Sequence, residues 1–224
     1  MALKFFYHPL ASFCHKVLVA LYENTTPFTG EIVDLGDPQS SAKFLDLWPV
    51  GKMPVLRDEE RNRTIPETSI IIEYLDAHFP GQHPLLPKDD AQRLDARLWD
   101  RFFDLYVQVP MQKIVGDRLQ PEDKKDPYGV EEARKTLAMA YDMVEGRLAQ
   151  RTWAIGESFS IADCAAAPAL FYAGIVAPFA KTHPNSAAYF ERLVARPSFK
   201  RVLEEARPYF QYFPFKEDLP ARFL

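Results

Sequence analysis

Apolar residues follow two different rhythms along this chain of 224 residues. Up to about residue 80 short strand-like runs alternate with helical ones, and beyond it only helical spacing is found. Leu3–Tyr7 is a short, mostly apolar run stopped by His8-Pro9, the pattern of a buried strand. Apolar positions 13, 14, 17, 18 and 21 then mark a helix over 13–23, and 28–33 reads as a second strand. A short helical or irregular segment over 39–48 ends at Pro49. The stretches 55–57 and 63–65 flank Asp58-Glu59-Glu60-Arg61-Asn62 as a hairpin, and 67–79 is a helix. This order predicts a compact four-stranded sheet with helices. Proline cannot continue a helix, so Pro80-Gly81-Gln82-His83-Pro84-Leu85-Leu86-Pro87 reads as a join. Residues 91–109, 131–149, 161–177, 186–195 and 198–206 all have helical patterns, with 120–129 a charged loop. The stretch from Pro208 is aromatic and proline-rich, and predicts a packed tail. The expected organisation is therefore an α/β domain over 1–80, a linker over 81–89 and an all-helical domain over 90–224.

Composition narrows the classes of function. A chain of this length can bury roughly 70% of its unfolded surface, and 47% hydrophobic with 26% charged residues is ordinary for a globular protein. A net charge of −4 without a Lys/Arg block argues against nucleic acid as the main partner. No apolar run approaches the ~20 residues that span a bilayer, and the N-terminal residues lack a signal-peptide pattern. A cytoplasmic protein with no membrane partner is expected. The two cysteines, Cys14 and Cys164, lie far apart without metal-ligand spacing, so a reduced pair and no metal are expected.

Three short segments carry candidate chemistry. In Gly51-Lys52-Met53-Pro54-Val55-Leu56, a cis Met53–Pro54 bond would leave the Met53 amide and carbonyl free to pair with an extended ligand. The plainer alternative is a loop proline before a strand. In Pro66-Glu67-Thr68-Ser69, a helix start offers unpaired amides and the positive dipole end to a carboxylate, while Glu67 can meet an ammonium group. Ordinary capping explains the same residues. The turn Tyr7-His8-Pro9-Leu10-Ala11-Ser12-Phe13-Cys14 holds a hydroxyl, Ser12, that could stabilise a thiolate at a helix start, with Cys14 and Tyr7 as rivals. An unperturbed thiol is only a few per cent ionised at neutral pH, and lowering its pKa by ~2 units takes about 2.7 kcal/mol. Cys14 also fits a small core residue and Tyr7 a buried aromatic, and His8 and His15 read as structural or solvent-facing.

Taken in order, these segments resemble the glutathione transferases over nearly the whole chain. The strand leading to Ser12, the turn Lys52-Met53-Pro54-Val55-Leu56, and Glu67-Thr68 before Ile70-Ile71-Ile72-Glu73-Tyr74-Leu75 match that family's N-terminal half. Gly156-Glu157-Ser158-Phe159-Ser160-Ile161-Ala162-Asp163 matches its helical half, where Ser160 and Asp163 form a capping box and Phe159 with Cys164 a hydrophobic staple. Two departures stand out: Thr68 replaces the commoner serine, and Ala11-Ser12-Phe13-Cys14 matches no single class signature. Aligned on the helix, Ser12 falls at the catalytic serine of theta- and delta-like members, whereas Ala11 stands where a zeta-like serine or omega-like cysteine would be.

The resemblance implies an N-terminal thioredoxin-like domain, a C-terminal helical bundle and a homodimer, with glutathione as co-substrate and no metal. It implies catalysis at Ser12 and glutathione held by Lys52, Met53, Pro54, Glu67 and Thr68. The glycine carboxylate would fall to Lys52, or to Gln39 or Lys43. A hydrophobic electrophile would sit against Phe103, Tyr106, Val107 and Met111, with the aromatic tail as a wall. The implied reaction joins the glutathione thiolate to that electrophile in a detoxifying conjugation. Glutathione-dependent isomerisation or dehalogenation, and a non-catalytic binding module of the same family, are the alternatives.

Overall fold

A computed structural model describes residues 2–224. The first half runs β1 (Leu3–Tyr7), α1 (Ser12–Glu23), β2 (Thr29–Ile32), α2 (Pro38–Leu47), β3 (Val55–Asp58), β4 (Arg63–Pro66) and α3 (Thr68–His78). The sheet order is β2-β1-β3-β4. Strands β1 and β2 are parallel and joined through α1, whereas β1–β3 and β3–β4 are antiparallel, the latter a hairpin. Gly51 takes φ 69° in the turn after α2, where its amide meets the Trp48 carbonyl at 3.0 Å. A residue with a Cβ resists that conformation.

The second half is helical: α4 (Asp90–Phe102), a π-helical segment (Phe103–Gln108), α5 (Val109–Arg118), α6 (Pro127–Leu148), α7 (Ile161–Val176), α8 (Pro184–Ala195) and α9 (Pro197–Ala206). Helix α7 is apolar on nearly every side, and all but one of its residues are buried, as expected of a helix at the centre of a bundle. Its start is fixed by Asp163. One carboxylate oxygen accepts from the Ser160 amide and hydroxyl (both 2.9 Å), and the other from the Ala154 amide (2.8 Å) and Tyr189 hydroxyl (2.6 Å). The tail is packed, as its aromatic spacing predicts: Phe210, Phe213, Phe215 and Phe223 are buried, with Phe210 and Phe223 against Phe171 of α7. Among the described residues, no helix is long and apolar enough to cross a membrane.

Two expectations fail here. The helix expected to stop at Val109 continues to Arg118, because the π segment lies immediately ahead of Pro110. Proline lacks an amide and its ring crowds the carbonyl four residues back, and a wider turn accommodates both defects. The charged stretch 120–129 is also shorter as a loop than expected. Asp126 accepts from the Gly129 amide at 2.8 Å, and with Pro127 in the first turn it starts α6 early.

Helix α1 lies between the sheet and the helical half, so nearly all its side chains are buried, including Lys16. The Lys16 ammonium reaches Asp100 Oδ1 (2.6 Å) on α4, Asp104 Oδ2 (2.7 Å) on the π segment and Ser69 Oγ (3.1 Å) on α3. Ser69 in turn donates to Asp100 Oδ2 at 2.5 Å, and Arg101 donates to Asp104 Oδ2 at 3.0 Å. Burial alone would pull the Lys16 pKa down, but the two carboxylates outweigh it and hold it above its ordinary value. Burial raises Asp104, with Lys16 opposing and Asp100 adding to the shift. A second bridge joins the C-terminal end of α1 to the helical half, where Arg196 holds Glu23 through two bonds of 2.7 Å.

Removing one partner of a buried ion pair leaves an uncompensated charge, so Lys16→Met is expected to cost about 3–5 kcal/mol in urea unfolding. Adding Asp104→Asn should recover part of that loss; full additivity of the two changes would contradict the coupling. His15 is also wholly buried, and burial pushes its pKa down to about 4. The folded value lies below the ordinary 6.5, so the unfolded chain takes up the proton first. This stabilisation is complete above about pH 6.5 and is lost as the pH falls toward 4. From about pH 7 to about pH 5 the protein should lose about 2 kcal/mol that a His15→Asn variant does not lose. Parallel pH profiles of unfolding free energy for the two proteins would contradict it.

Candidate functional site

The turn before β3, the first turn of α3 and the start of α1 meet the long α4–π–α5 helix around a cleft of about 360 Å³. From the α/β half come Ala11, Phe13, Lys52, Met53, Pro54, Glu67 and Thr68; from the helical half come Arg101, Asp104, Leu105, Val109 and Gln112. Sheet pairing starts at Val55, so Met53 lies just outside the ladder. Its amide and carbonyl have no hydrogen-bond partner among the described residues, and the Met53–Pro54 bond is cis. Met53 therefore presents one donor and one acceptor to an extended ligand, as a strand edge does.

Next to that edge, Glu67 adopts φ 65° before α3 begins at Thr68. A left-handed conformation at a residue with a side chain costs on the order of 1–3 kcal/mol and has to be held by its surroundings. Two features hold it. Pro66 pairs with Val55 in the sheet, and Ser69, two residues on, is fixed by Lys16 and Asp100. The result leaves the exposed Glu67 carboxylate, the mostly buried Thr68 hydroxyl and the first amides of α3 at one end of the cleft. Such a helix start suits a carboxylate, and Glu67 suits a cation. An α-amino acid head group carries both. Lys52 adds an exposed ammonium on the Met53 side.

The remaining sequence candidates are distributed differently. Gln39 and Lys43 are exposed on α2 and do not line the cleft. Ser12 is the first residue of α1 and 4% exposed; its neighbours Ala11 and Phe13 line the cleft, and it does not. Cys14 is wholly buried, and burial pushes its thiol up to about 12, against a smaller opposing bond from the His8 backbone. It is a core residue with negligible thiolate at neutral pH. Tyr7 borders a different cavity, and burial, then the Glu205 charge, raise its phenol. Phe103, Val107 and Met111 are at most 3% exposed and belong to the core, while Tyr106 is exposed and not part of the cleft.

The structure places that helical face differently from the expectation. Residues 103, 107 and 111 form the apolar stripe that packs inward, and the cleft takes the neighbouring stripe of Arg101, Leu105 and Val109 with Asp104 and Gln112. Their four-residue spacing was a usable signal, but a mixed charged and apolar stripe looks like a solvated face. Lys16 was missed because it sits in an otherwise apolar helical run. Its signal was Asp100 and Asp104, two acids four residues apart on one helix.

The comparisons with known proteins cover the same two halves. Residues 11–78 match the glutathione S-transferase N-terminal domain and residues 102–197 its C-terminal domain. The glutathione S-transferase GstB of Escherichia coli is 26% identical over 84% of this chain and 91% of its own. The FtsZ-localized protein A of Caulobacter vibrioides is 31% identical, covering 89% of this chain and 90% of that one. A glutathione S-transferase from Methylobacillus flagellatus, solved with glutathione bound, superposes with a TM-score of 0.82 at 27% identity, over 89% of this chain and 98% of that structure. The two domain matches, in order and joined by the structure described above, show that this chain belongs to the glutathione S-transferase family.

Proposed function

We propose that the protein is a glutathione transferase, joining the glutathione sulfur to a small electrophile. The observation that carries this reading is the free amide and carbonyl of Met53 in the same cleft as the α3 start at Glu67 and Thr68. In this reading Met53 pairs with the cysteinyl backbone, Glu67 and Thr68 take the γ-glutamyl group, and Lys52 takes the glycine carboxylate. The Methylobacillus flagellatus relative, solved with glutathione bound, supports the ligand. The thiolate lies at the N-terminus of α1, where the helix dipole and first amides favour negative charge, and Ser12 supplies the hydroxyl of that first turn. The electrophile packs against Phe13, Leu105 and Val109, with Arg101 and Gln112 as the polar groups beside it. The thiolate attacks an electrophilic carbon and a carbon–sulfur bond forms; either the bond to a leaving group breaks and that group departs with the electron pair, or a π bond opens and the resulting carbanion takes a proton from water.

A homodimer and a cytoplasmic setting belong to the same proposal. Ile70, Leu94, Leu98, Met139 and Met143 are large apolar side chains left exposed on three helices, in the four-residue spacing of a docking face on α4 and on α6.

A second reading, a glutathione-binding module without conjugating activity, is favoured by one observation: the residues around the start of α1 on the cleft wall are Ala11 and Phe13, neither of which carries a hydroxyl or thiol. Ultraviolet titration of the glutathione thiol with saturating protein separates the two. Conjugation predicts a bound thiol pKa about 2 units below that of free glutathione, rising by about 1 unit in Ser12→Ala with affinity nearly unchanged. An equally low value in Ser12→Ala would assign the thiolate to the α1 amides in place of Ser12. Binding with an unshifted thiol in the wild type would overturn conjugation and leave the binding module.

A further inference from the structure

The four-stranded sheet ends at β2, and that edge is unpaired. The Val33 amide donates to the Tyr7 carbonyl at 2.8 Å, which fixes the phase of the parallel ladder. Thr29, Glu31 and Val33 turn their amides and carbonyls to β1, so those of Gly30 and Ile32 point away from it. The outward groups have no partner among the described residues, and Gly30 and Ile32 are both exposed. Edges are ordinarily blunted by proline, by a bulge or by charge. The opposite edge, β4, has Arg63 and Pro66. In β2 the register with β1 is unbroken, no proline interrupts it, and its one charge is Glu31.

Beside this edge lies a hollow of about 710 Å³, walled by α1 and α9 and bordered by Gly30 and Ile32. A Cβ on Gly30 would meet the Tyr7 ring at 3.0 Å, so Gly30 leaves open space on the Tyr7 face of the sheet. Ile32, two residues on, puts its side chain on that same face, 52% exposed. Tyr22, Phe28, Val202 and Tyr209 line the hollow beyond it. A strand laid along β2 would turn alternate side chains into this apolar hollow and the others to the face of Glu31. The charges of the hollow are already matched within the protein, since Arg201 donates to Glu205 at 2.9 Å and the Tyr22 hydroxyl to Glu205 at 2.5 Å. Glu31 differs. Lys4, on the same face of β1, is engaged by Glu59 at 2.9 Å, which leaves the exposed Glu31 carboxylate unmatched among the described residues.

We propose that the β2 edge docks an extended segment of a partner protein, which adds to the sheet as a fifth, antiparallel strand. The partner backbone bonds to Gly30 and Ile32, its apolar side chains opposite those two residues fill the hollow, and a lysine or arginine between them faces Glu31. In strand addition the backbone bonds give affinity and the alternate side chains give selectivity. The docking edge does not depend on the conjugation reading: its hollow shares no lining residue with the cleft proposed for glutathione, and no covalent bond is made or broken.

The probe is a fluorescein-labelled peptide amide, Lys-Val-Lys-Phe-Lys, titrated with the full chain and followed by anisotropy. Its valine faces Ile32, its central lysine Glu31 and its phenylalanine Gly30. In an antiparallel pair only the valine and phenylalanine turn their amides to β2. N-methylation of those two amides should weaken binding about tenfold or more, and N-methylation of the lysine amides about twofold at most. Glutamate in place of the central lysine should also cost about tenfold, as like charges then meet across the pair. Ile32→Pro removes an outward donor without breaking a bond to β1, and should weaken the unmethylated peptide about tenfold in a chain that stays folded by circular dichroism. Equal losses from the two methylated peptides, a loss confined to the lysine amides, full affinity in Ile32→Pro, or no binding of the unmethylated peptide would each overturn the proposal. So would a lower sedimentation coefficient in Ile32→Pro than in the wild type, which would give the edge to a second copy of this chain.

Discussion

Lys16 carries a charge to the centre of the molecule, where three elements from two halves of the chain meet it: α3 through Ser69, α4 through Asp100 and the π segment through Asp104. An ammonium without such partners would not stay ionised at this depth, and the two carboxylates would be equally costly without it. The cluster is therefore a constraint more than a source of stability. It has low energy only when α1, α3 and α4 keep one relative placement, and apolar side chains in the same positions would tolerate sliding. The Glu23–Arg196 pair repeats the arrangement at the other end of α1.

The cleft follows from that placement. Ser69 is fixed by Lys16 and Asp100, and two residues earlier Glu67 is held at a positive φ that its own side chain disfavours. Asp104 faces both ways: it pairs with Lys16 in the core and with Arg101 on the cleft wall. The π segment that contains Asp104 also absorbs Pro110, so the irregularity in the long helix lies beside the site. Cleft-facing and core-facing residues alternate along that helix within single turns. One side, Phe103, Val107 and Met111, is packing; the adjacent stripe is the cleft.

Much of this could be read in the chain. The strand and helix order, the hairpin, the packed tail and the Ser160–Asp163 helix start all follow from local patterns whose physics is local: alternation, proline stops and capping. The Met53 edge and the Glu67–Thr68 helix start were also legible, since they depend on a turn and a helix terminus. What could not be read depends on how halves distant in sequence pack together. The choice between two neighbouring stripes of one helix needs the rotation of that helix, which the π segment shifts. The inward position of Ser12, with Ala11 and Phe13 on the cleft wall, turns on one residue of phase at the start of α1. Lys16 was hidden because its carboxylate partners, Asp100 and Asp104, lie more than eighty residues away, and a buried lysine reads as an interruption in an apolar face until they are known.

The central claim is that Lys16, which does not itself line the cleft proposed for glutathione, sets the geometry of that cleft through its buried partners. A calorimetric titration of glutathione onto Lys16→Met, at a temperature where its unfolding transition shows it folded, tests that claim most directly. The account predicts binding weakened by about tenfold or more relative to the wild type, the loss of roughly 1.4 kcal/mol of pre-organised contact at the α3 start. Wild-type affinity in a folded Lys16→Met protein would contradict it, and would reduce the cluster to a structural pair with no bearing on the site.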